Sequence, residues 1–253
     1  SVKFYKSENQ VPLEMHKVRV VQKLNLLPVD ERLRAIQKAG NNTFLLQNKD
    51  IYLDMLTDSG VNAMSDRQTA AMHLADDSYA GSETFNRLKT AMKEVFGTDN
   101  VLPAHQGRAC ENILAERFVK PGMIAIMNFH FTTTKAHVTR CGGEVVEVLH
   151  KKGLIPQSDD PFKGDMDLQE LRRVIEQYTP EKVAYVRVEA GTNLIGGQPV
   201  SLENMLAVAD ICHEFGVPSI LDASLLQDNI CFMQTREAQC KYMTPKEIYH
   251  LLA

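Results

Sequence analysis

From about residue 83 onward, short apolar segments alternate along the chain with stretches of helical spacing. Four apolar segments, at residues 123–127, 144–148, 183–188 and 217–222, have the length of buried strands. Consecutive parallel strands need a crossover between them, which is usually a helix. The alternation therefore predicts an α/β fold in which helices cover both faces of a mostly parallel sheet.

The helical stretches have one apolar face and residues that favour helix ends. Asp167 and Glu170 have the spacing of a capping box, and Ser201 precedes the next amphipathic stretch. Gly97 and Gly216 follow the last apolar positions of the stretches that they close. The pattern predicts helices at residues 30–40 (with Asp30 as a cap), 65–74, 83–96, 109–119, 167–178 and 201–216.

The composition excludes several classes of protein. A net charge of −4 leaves no basic surface for nucleic acid, and no apolar run approaches the roughly 20 residues of a membrane helix. The first residues lack the apolar core of a signal peptide. The five cysteines include no CxxC pair, which suits a reducing compartment and predicts a cytoplasmic protein. His130 and His137 do not have a metal-binding spacing.

Asp222 ends the apolar segment Val217–Asp222 and is followed by two small residues. In open α/β sheets, ligands bind outside the carboxyl ends of the strands. A carboxylate there can pair with the ring nitrogen of pyridoxal phosphate and keep it protonated, so that the ring accepts electrons. More commonly, an Asp at such a place caps the helix that follows the strand. The segment by itself leaves both interpretations open.

Three other loops carry groups that suit the same cofactor. Gln106-Gly107-Arg108 precedes a helix, and helix N–H groups together with an arginine can bind phosphate. Phe131 could stack on a planar ring, and Asn193 could bind a ring substituent. Each has a simpler interpretation: a helix cap, a core aromatic residue and a turn residue. Because the strand-to-helix loops of a parallel sheet gather at one edge, the four loops are expected to meet there.

Eight strings spread along the chain carry a family resemblance: NTFLL (42–46), LTDSG (56–60), NAMSD (62–66), YAGSE (79–83), PAHQGR (103–108), FTTT (131–134), FKGD (162–165) and GGQPVS (196–201). With the loops above, they resemble the β-eliminating lyases, pyridoxal-phosphate enzymes that include tyrosine phenol-lyase and tryptophanase. The resemblance implies an aspartate-aminotransferase-like (fold type I) large domain that is incomplete at its C-terminus. Residues 1–50 would form an N-terminal arm and the start of the small domain, and residues 51–253 part of the large domain.

The resemblance also implies roles for the cofactor-binding residues. The cofactor phosphate would be bound by Gln106, Gly107 and Arg108. Phe131 would stack on the pyridine ring and Asn193 would contact the ring hydroxyl. Asp222 would pair with the ring nitrogen.

Further residues would act on the substrate or on a cation. Tyr79 resembles the tyrosine that provides acid catalysis on the leaving group from a neighbouring subunit. Thr132 matches the threonine that faces the phenol oxygen in tyrosine phenol-lyases, where tryptophanases carry Asp. Ser59 would contact the substrate carboxylate. Gly60 and Asp77 lie where the family builds a monovalent-cation site for K⁺, with Asp77 in place of the usual Glu.

Two features depart from the family pattern. Leu225 stands where the family usually has an Arg that contacts the ring hydroxyl. The sequence ends at Ala253, before the position of the family's Schiff-base lysine and before the arginine that binds the substrate carboxylate. A second chain could supply these groups.

The expected function is therefore a pyridoxal-phosphate-dependent α,β-elimination that converts an aromatic amino acid to pyruvate, ammonia and its side-chain leaving group, as a carbon–carbon lyase. Tryptophan and cysteine are alternative substrates. A non-catalytic truncated paralogue and one half of a split enzyme are alternative functions. A homo-oligomer, or a complex with a chain that carries the C-terminal half, is expected because a sheet cut after the Asp222 strand exposes an edge.

Overall fold

The computed structural model describes residues 24–54 and 64–253, and the chain divides into two compact units, Ser1–Asp77 and Ser78–Ala253. In the first unit, helix α1 spans Val29–Lys38 and helix α2 spans Asp66–His73, with single helical turns at Thr43–Leu45 and Asn48–Asp50. The Ser65 hydroxyl caps α2, as predicted. The expectation that Asp30 caps α1 is wrong, because the cap position is Pro28 and Asp30 lies in the first turn.

The second unit contains a four-stranded, wholly parallel sheet in the order β2-β1-β3-β4. Its strands are β1 (Ile124–Met127), β2 (Glu144–Glu147), β3 (Val183–Glu189) and β4 (Ser219–Asp222). Each corresponds to one predicted apolar segment, and the mostly parallel α/β fold is confirmed. The register places Glu147 beside Met127 and Asp222 beside Glu189, so the strands end together at one edge.

The helices of this unit are α3 (Glu83–Phe96), α4 (Gly107–Phe118), α5 (Thr132–Arg140), α6 (Leu168–Tyr178), α7 (Leu202–Phe215), α8 (Leu226–Arg236) and α9 (Pro245–Leu252). The predicted caps of α6 and α7 are present: the Asp167 carboxylate accepts from two backbone N–H groups and the Ser201 hydroxyl from one. The capping box itself is not, since the Glu170 carboxylate binds Arg173. No helix within residues 24–54 and 64–253 is long and apolar enough to cross a bilayer.

Helices α5, α8 and α9 were not predicted from the sequence. Five of the nine residues of α5 are β-branched, and such residues have low helix propensity. Its packing against α4 stabilises the helix instead. Helix α9 did carry a readable signal, because Thr244 and Glu247 form a capping box around Pro245 at the first helical position.

Two hydrophobic clusters lie on the two faces of the sheet. Ile124 and Ile126 of β1 belong to the larger cluster, whose helical members come from α6, α7, α8 and α9. Ala125 and Met127 belong to the smaller cluster, together with Ala115 of α4 and Val138 of α5. Alternate residues of β1 thus contact opposite layers, and the helices cover both faces as expected.

Asp165 joins the loop before α6 to the start of α7. Its carboxylate accepts hydrogen bonds from the Ser201 backbone N–H at 2.7 Å and from Ser201 Oγ at 3.0 Å. Burial raises the pKa of Asp165 to about 7, although both bonds from Ser201 oppose the rise. Protonation of this carboxyl therefore links the stability of the fold to pH near neutrality.

We expect the free energy of unfolding to fall by about 1 kcal/mol between pH 6 and pH 8 through Asp165. The folded pKa of about 7 lies above the ordinary aspartate value, so the folded state binds the proton more tightly. That stabilisation is present at low pH and is lost as the pH rises through 7. Urea unfolding at both pH values measures it. Asp165→Asn should remove this part of the slope and the exposed Asp159→Asn should keep it; equal slopes in all three proteins would contradict the assignment.

Candidate active site

The carboxyl edge of the sheet brings together the loops that follow the strands. At one side of it, the Glu147 carboxylate accepts a hydrogen bond from the His130 backbone N–H at 3.2 Å and also pairs with His130 Nδ1. This joins the end of β2 to the loop after β1. At the other side lie the loop after β3 and Asp222, the last residue of β4.

Asn128, at the end of β1, anchors the loop after β3 from one side. Its buried Nδ2 donates to the carbonyl oxygens of Gly164 and Glu189, at 3.0 and 3.1 Å, and to Thr192 Oγ1 at 3.1 Å. Its Oδ1 accepts from the Glu189 backbone N–H at 3.1 Å. One amide side chain thereby connects three loops of the site.

Asn229, on α8, anchors the same loop from the other side. Its Oδ1 accepts from the backbone N–H groups of Gly191 and Val200, at 3.0 and 2.8 Å. Its Nδ2 donates to the Val200 carbonyl at 2.8 Å. Asn229 is 1% exposed, so these bonds satisfy backbone groups that water does not reach.

Two glycines allow the loops to lie this close to each other. A Cβ at Gly164 would lie 2.6 Å from the Gln198 carbonyl oxygen and 2.7 Å from Thr192 Oγ1. Gly191 has a φ of +74°, and a Cβ there would lie 2.8 Å from Cβ of Leu225. Leu225, the residue that departs from the family pattern, therefore packs against the backbone of the loop after β3.

Asp222 belongs to a buried cluster of charged groups. Arg187 Nη2 donates to Asp222 Oδ2 at 2.6 Å, and Arg187 Nη1 donates to Glu189 Oε2 at 3.2 Å. Glu189 Oε1 accepts from the Asn193 backbone N–H at 3.2 Å. Ser224 donates to Asp222 Oδ1 through its backbone N–H at 3.0 Å and through its hydroxyl. The helix-cap interpretation of Asp222 is wrong, because α8 begins after Leu225 at the cap position.

The two carboxyl groups of this cluster have different electrostatics. Burial raises the pKa of Asp222, but the Arg187 guanidinium and the hydrogen bonds from Ser224 outweigh it and lower the pKa below its ordinary value. Burial also raises the pKa of Glu189, and there Arg187 and the Asn193 N–H do not compensate for it. Asp222 is consequently a carboxylate at neutral pH.

Phe131 and Thr132 form the start of α5, where Phe131 occupies the cap position. Phe131 is half-buried and Thr132 is exposed, so neither belongs to the core. The next two residues, Thr133 and Thr134, donate their hydroxyls to the carboxylate of Glu111 on α4, the first of them at 2.5 Å. Glu111 therefore fixes the first turn of α5 against α4.

The start of α4 is open to solvent. Gln106 occupies its cap position in an extended conformation and makes no side-chain capping bond. Gly107 and Arg108 are exposed, and a Cβ at Gly107 would meet nothing within 4 Å. The Gln106 side chain thus leaves the first N–H groups of this helix uncapped, and such groups can bind an anion.

The remaining predicted site residues are Tyr79, Asp77, Ser59 and Gly60. Tyr79 is fully exposed. Asp77 belongs to the first unit, and Ser59 and Gly60 lie outside the described residues. Within residues 24–54 and 64–253, no group of three acidic, His or Cys side chains could hold a metal ion.

Four contributors to the site were missed by sequence reasoning: Arg187, Glu189, Asn128 and Asn229. A signal existed for the first two, since an Arg and a Glu stand in a strand that is otherwise apolar, and a buried charge needs a partner. The two asparagines carried no such signal. Their partners lie at least 29 positions away along the chain.

Comparison with solved structures finds partial similarity. Alanine aminotransferase from Pyrococcus furiosus matches with a TM-score of 0.46 and 17% identity, over 61% of this chain and 38% of that chain. Cystalysin from Treponema denticola, whose crystal structure contains pyridoxal 5'-phosphate, matches with a TM-score of 0.46 and 14% identity, over 61% and 38%.

Comparison of sequences gives a more specific result. The family model described as "Beta-eliminating lyase" matches residues 54–247. A tyrosine phenol-lyase from Nostoc punctiforme is 43% identical over 224 residues, which are 88% of this chain and 48% of the relative. One from Pasteurella multocida is 39% identical over 237 residues, 94% of this chain and 52% of the relative. The chain thus spans about half the length of the curated relatives it matches.

Proposed function

Since this chain belongs to the β-eliminating lyase family, we propose that it serves a pyridoxal-phosphate-dependent α,β-elimination of the tyrosine phenol-lyase type. An aromatic amino acid would react with water to give pyruvate, ammonia and the free side chain, which is phenol when the substrate is tyrosine. In this proposal residues 1–50 form an N-terminal arm and the start of a small domain, and residues 51–253 form part of the cofactor-binding large domain.

The observation that carries the proposal is the ionised, half-buried Asp222 at the end of β4. Its side chain is 22% exposed, so a ligand at the carboxyl edge can reach it. A carboxylate held in charged form is the partner that a protonated ring nitrogen requires. When bound, pyridoxal phosphate supplies a conjugated ring that takes up the negative charge left by loss of the substrate α-proton.

The remaining donors at this edge fit the cofactor in chemical type. The uncapped start of α4, with Gln106, Gly107 and Arg108, suits an anionic phosphate. Phe131, half-buried at the start of α5, offers an aromatic face, and Asn193 offers an amide beside the end of β3. We assign these residues to the phosphate, the ring face and the ring hydroxyl respectively.

Other residues would bind the substrate or act on it. We assign Tyr79 as the acid that protonates the leaving group and Thr132 as the contact of the phenol oxygen. Ser59 would bind the substrate carboxylate, and Gly60 and Asp77 would contribute to a site for K⁺.

We propose in addition that the chain functions in an assembly, as a homo-oligomer or with a second chain that carries the C-terminal half. Several large apolar side chains are exposed, as surfaces that bind other subunits are. They include Phe44, Leu74, Tyr79, Leu102 and, on α3, Phe85 and Leu88. Full exposure of Tyr79 is compatible with its action in a neighbouring subunit.

Release of pyruvate from L-tyrosine by the whole protein, with pyridoxal phosphate added, tests the proposed function. We expect pyruvate and phenol in equal amounts, and unchanged release by the surface variant Arg172→Met, whose guanidinium pairs with exposed Glu214. L-tryptophan and L-cysteine, tested in parallel, would reveal a different preferred substrate. Cofactor binding without pyruvate from any of the three amino acids would overturn the proposal in favour of a non-catalytic protein.

A further inference from the structure

The guanidinium of Arg187, on β3, is buried next to the groups that would contact the cofactor ring. Only 4% of the Arg187 side chain is exposed, and the side chain lies between two carboxylates. One is Asp222, 2.6 Å away on β4, and the other is Glu189, 3.2 Å away on the same strand as Arg187. The register of β3 and β4 places Glu189 directly beside Asp222, so one fork of donors can reach both.

The contacts continue from Glu189 to the neighbouring loop. Its second oxygen accepts from the Asn193 backbone N–H at 3.2 Å. We propose that Arg187 is a positioning residue of the cofactor site: its guanidinium fixes Asp222 and, through Glu189, the backbone of Asn193. Asp222 and Asn193, the two residues assigned to the ring nitrogen and the ring hydroxyl, thereby keep a fixed position relative to each other. This inference rests on the proposed binding of pyridoxal phosphate at the carboxyl edge.

The charges of the cluster support a role in binding a cationic ring. One guanidinium faces two carboxylates, so the cluster carries a net negative charge when both are ionised. A protonated ring nitrogen would balance that charge. Without Arg187, two carboxylates would face each other in a buried site, where one of them would take up a proton.

Arginine suits this position better than lysine. The two bonds of Arg187 leave from different nitrogens, Nη1 and Nη2, of one planar group. A lysine ammonium is a point charge on a flexible stem and does not reproduce this fixed fork. The two carboxylates would then lose their common alignment while the positive charge remained. Charge and alignment can therefore be tested separately.

The experiment compares Arg187→Met, Arg187→Lys and the control Arg172→Met in the whole protein. The dissociation constant of pyridoxal phosphate is measured by its absorbance between pH 6 and pH 8. Arg187→Met is expected to bind about tenfold more weakly at pH 8, and to weaken further as the pH falls, because the pair of carboxylates, Glu189 before Asp222, then takes up a proton and presents less negative charge to the ring. Arg187→Lys is expected to weaken binding severalfold but to keep the wild-type pH profile. The control is expected to match the wild type.

Two outcomes separate the failure of this inference from that of the proposed function. If the wild type binds the cofactor and both Arg187 variants bind it with the same affinity and pH profile, Arg187 positions nothing. If the wild type itself does not bind the cofactor, the proposed function fails. If Arg187→Met does not fold, Arg187→Lys decides, since wild-type affinity in that variant overturns the role of the arginine fork.

Discussion

Asp222→Asn is expected to lower kcat/KM for pyruvate release by about 10²- to 10³-fold, the loss typical for removal of one preorganised electrostatic contact. The amide has nearly the shape of the carboxylate but carries no charge, so it cannot hold a ring nitrogen in protonated form. In addition, Arg187 would face a neutral group at its 2.6 Å contact, which favours an unprotonated ring. The measurement is steady-state pyruvate release by the whole protein, together with the dissociation constant of pyridoxal phosphate.

Two further variants test whether the loss of activity in Asp222→Asn comes from removing the charge at this position. Asp228→Asn removes an exposed carboxylate from the first turn of α8, six positions along the chain, and is expected to leave kcat/KM within about twofold. Asp222→Glu retains the charge with a longer side chain and is expected to recover part of the activity. Activity of Asp222→Asn within threefold of the wild type would remove Asp222 from the ring-nitrogen site.

Asn128→Ala is expected to reduce the free energy of unfolding by about 3–5 kcal/mol, since each buried polar group left without a partner costs about 1–3 kcal/mol. The substitution removes the acceptor of the Glu189 backbone N–H and the donor of the Gly164 carbonyl oxygen, whereas the Glu189 carbonyl oxygen keeps the Thr192 hydroxyl as a donor. All of them lie in a buried part of the structure. Urea unfolding of the whole protein measures the loss.

An exposed asparagine provides the control for this prediction. Asn86 lies on the solvent side of α3, and Asn86→Ala is expected to change the free energy of unfolding by less than about 0.5 kcal/mol. Asn128→Asp keeps an oxygen that accepts from Glu189, but it turns a second carboxylate oxygen toward the buried carbonyls of Gly164 and Glu189, so it should cost at least as much stability as the alanine variant at neutral pH. A loss below 1 kcal/mol for Asn128→Ala would show that water replaces the amide.

The sheet was predictable because its four strands are short apolar runs separated by helices. The edge position of Asp222 and Asn193 followed from that alternation, since parallel strands share one carboxyl edge. The helix at Thr132 was not predictable from propensity, because contacts with Glu111 on another helix stabilise its threonine-rich first turn. Local sequence does not contain such contacts.

The burial of α3 shows a different limit of sequence reasoning. Its apolar spacing correctly predicted a helix from Glu83 to Phe96, and the structure shows that the Ser82 hydroxyl caps it. The same spacing suggests a core-facing side, yet Phe85, Leu88 and Val95 are each more than a third exposed. Periodicity shows that a helix has an apolar face, but it does not identify the surface that this face contacts.

The loop after β3 is held by the amides of Asn128 and Asn229, which are neutral at every physiological pH. The ionisable groups Arg187, Glu189 and Asp222 lie beside this loop. Among these three, only Glu189 binds a backbone N–H of the loop, that of Asn193. The bonds that Asn128 and Asn229 make to this loop therefore do not depend on the charge of the site. A change of pH that titrates the carboxyl groups leaves these amide contacts intact.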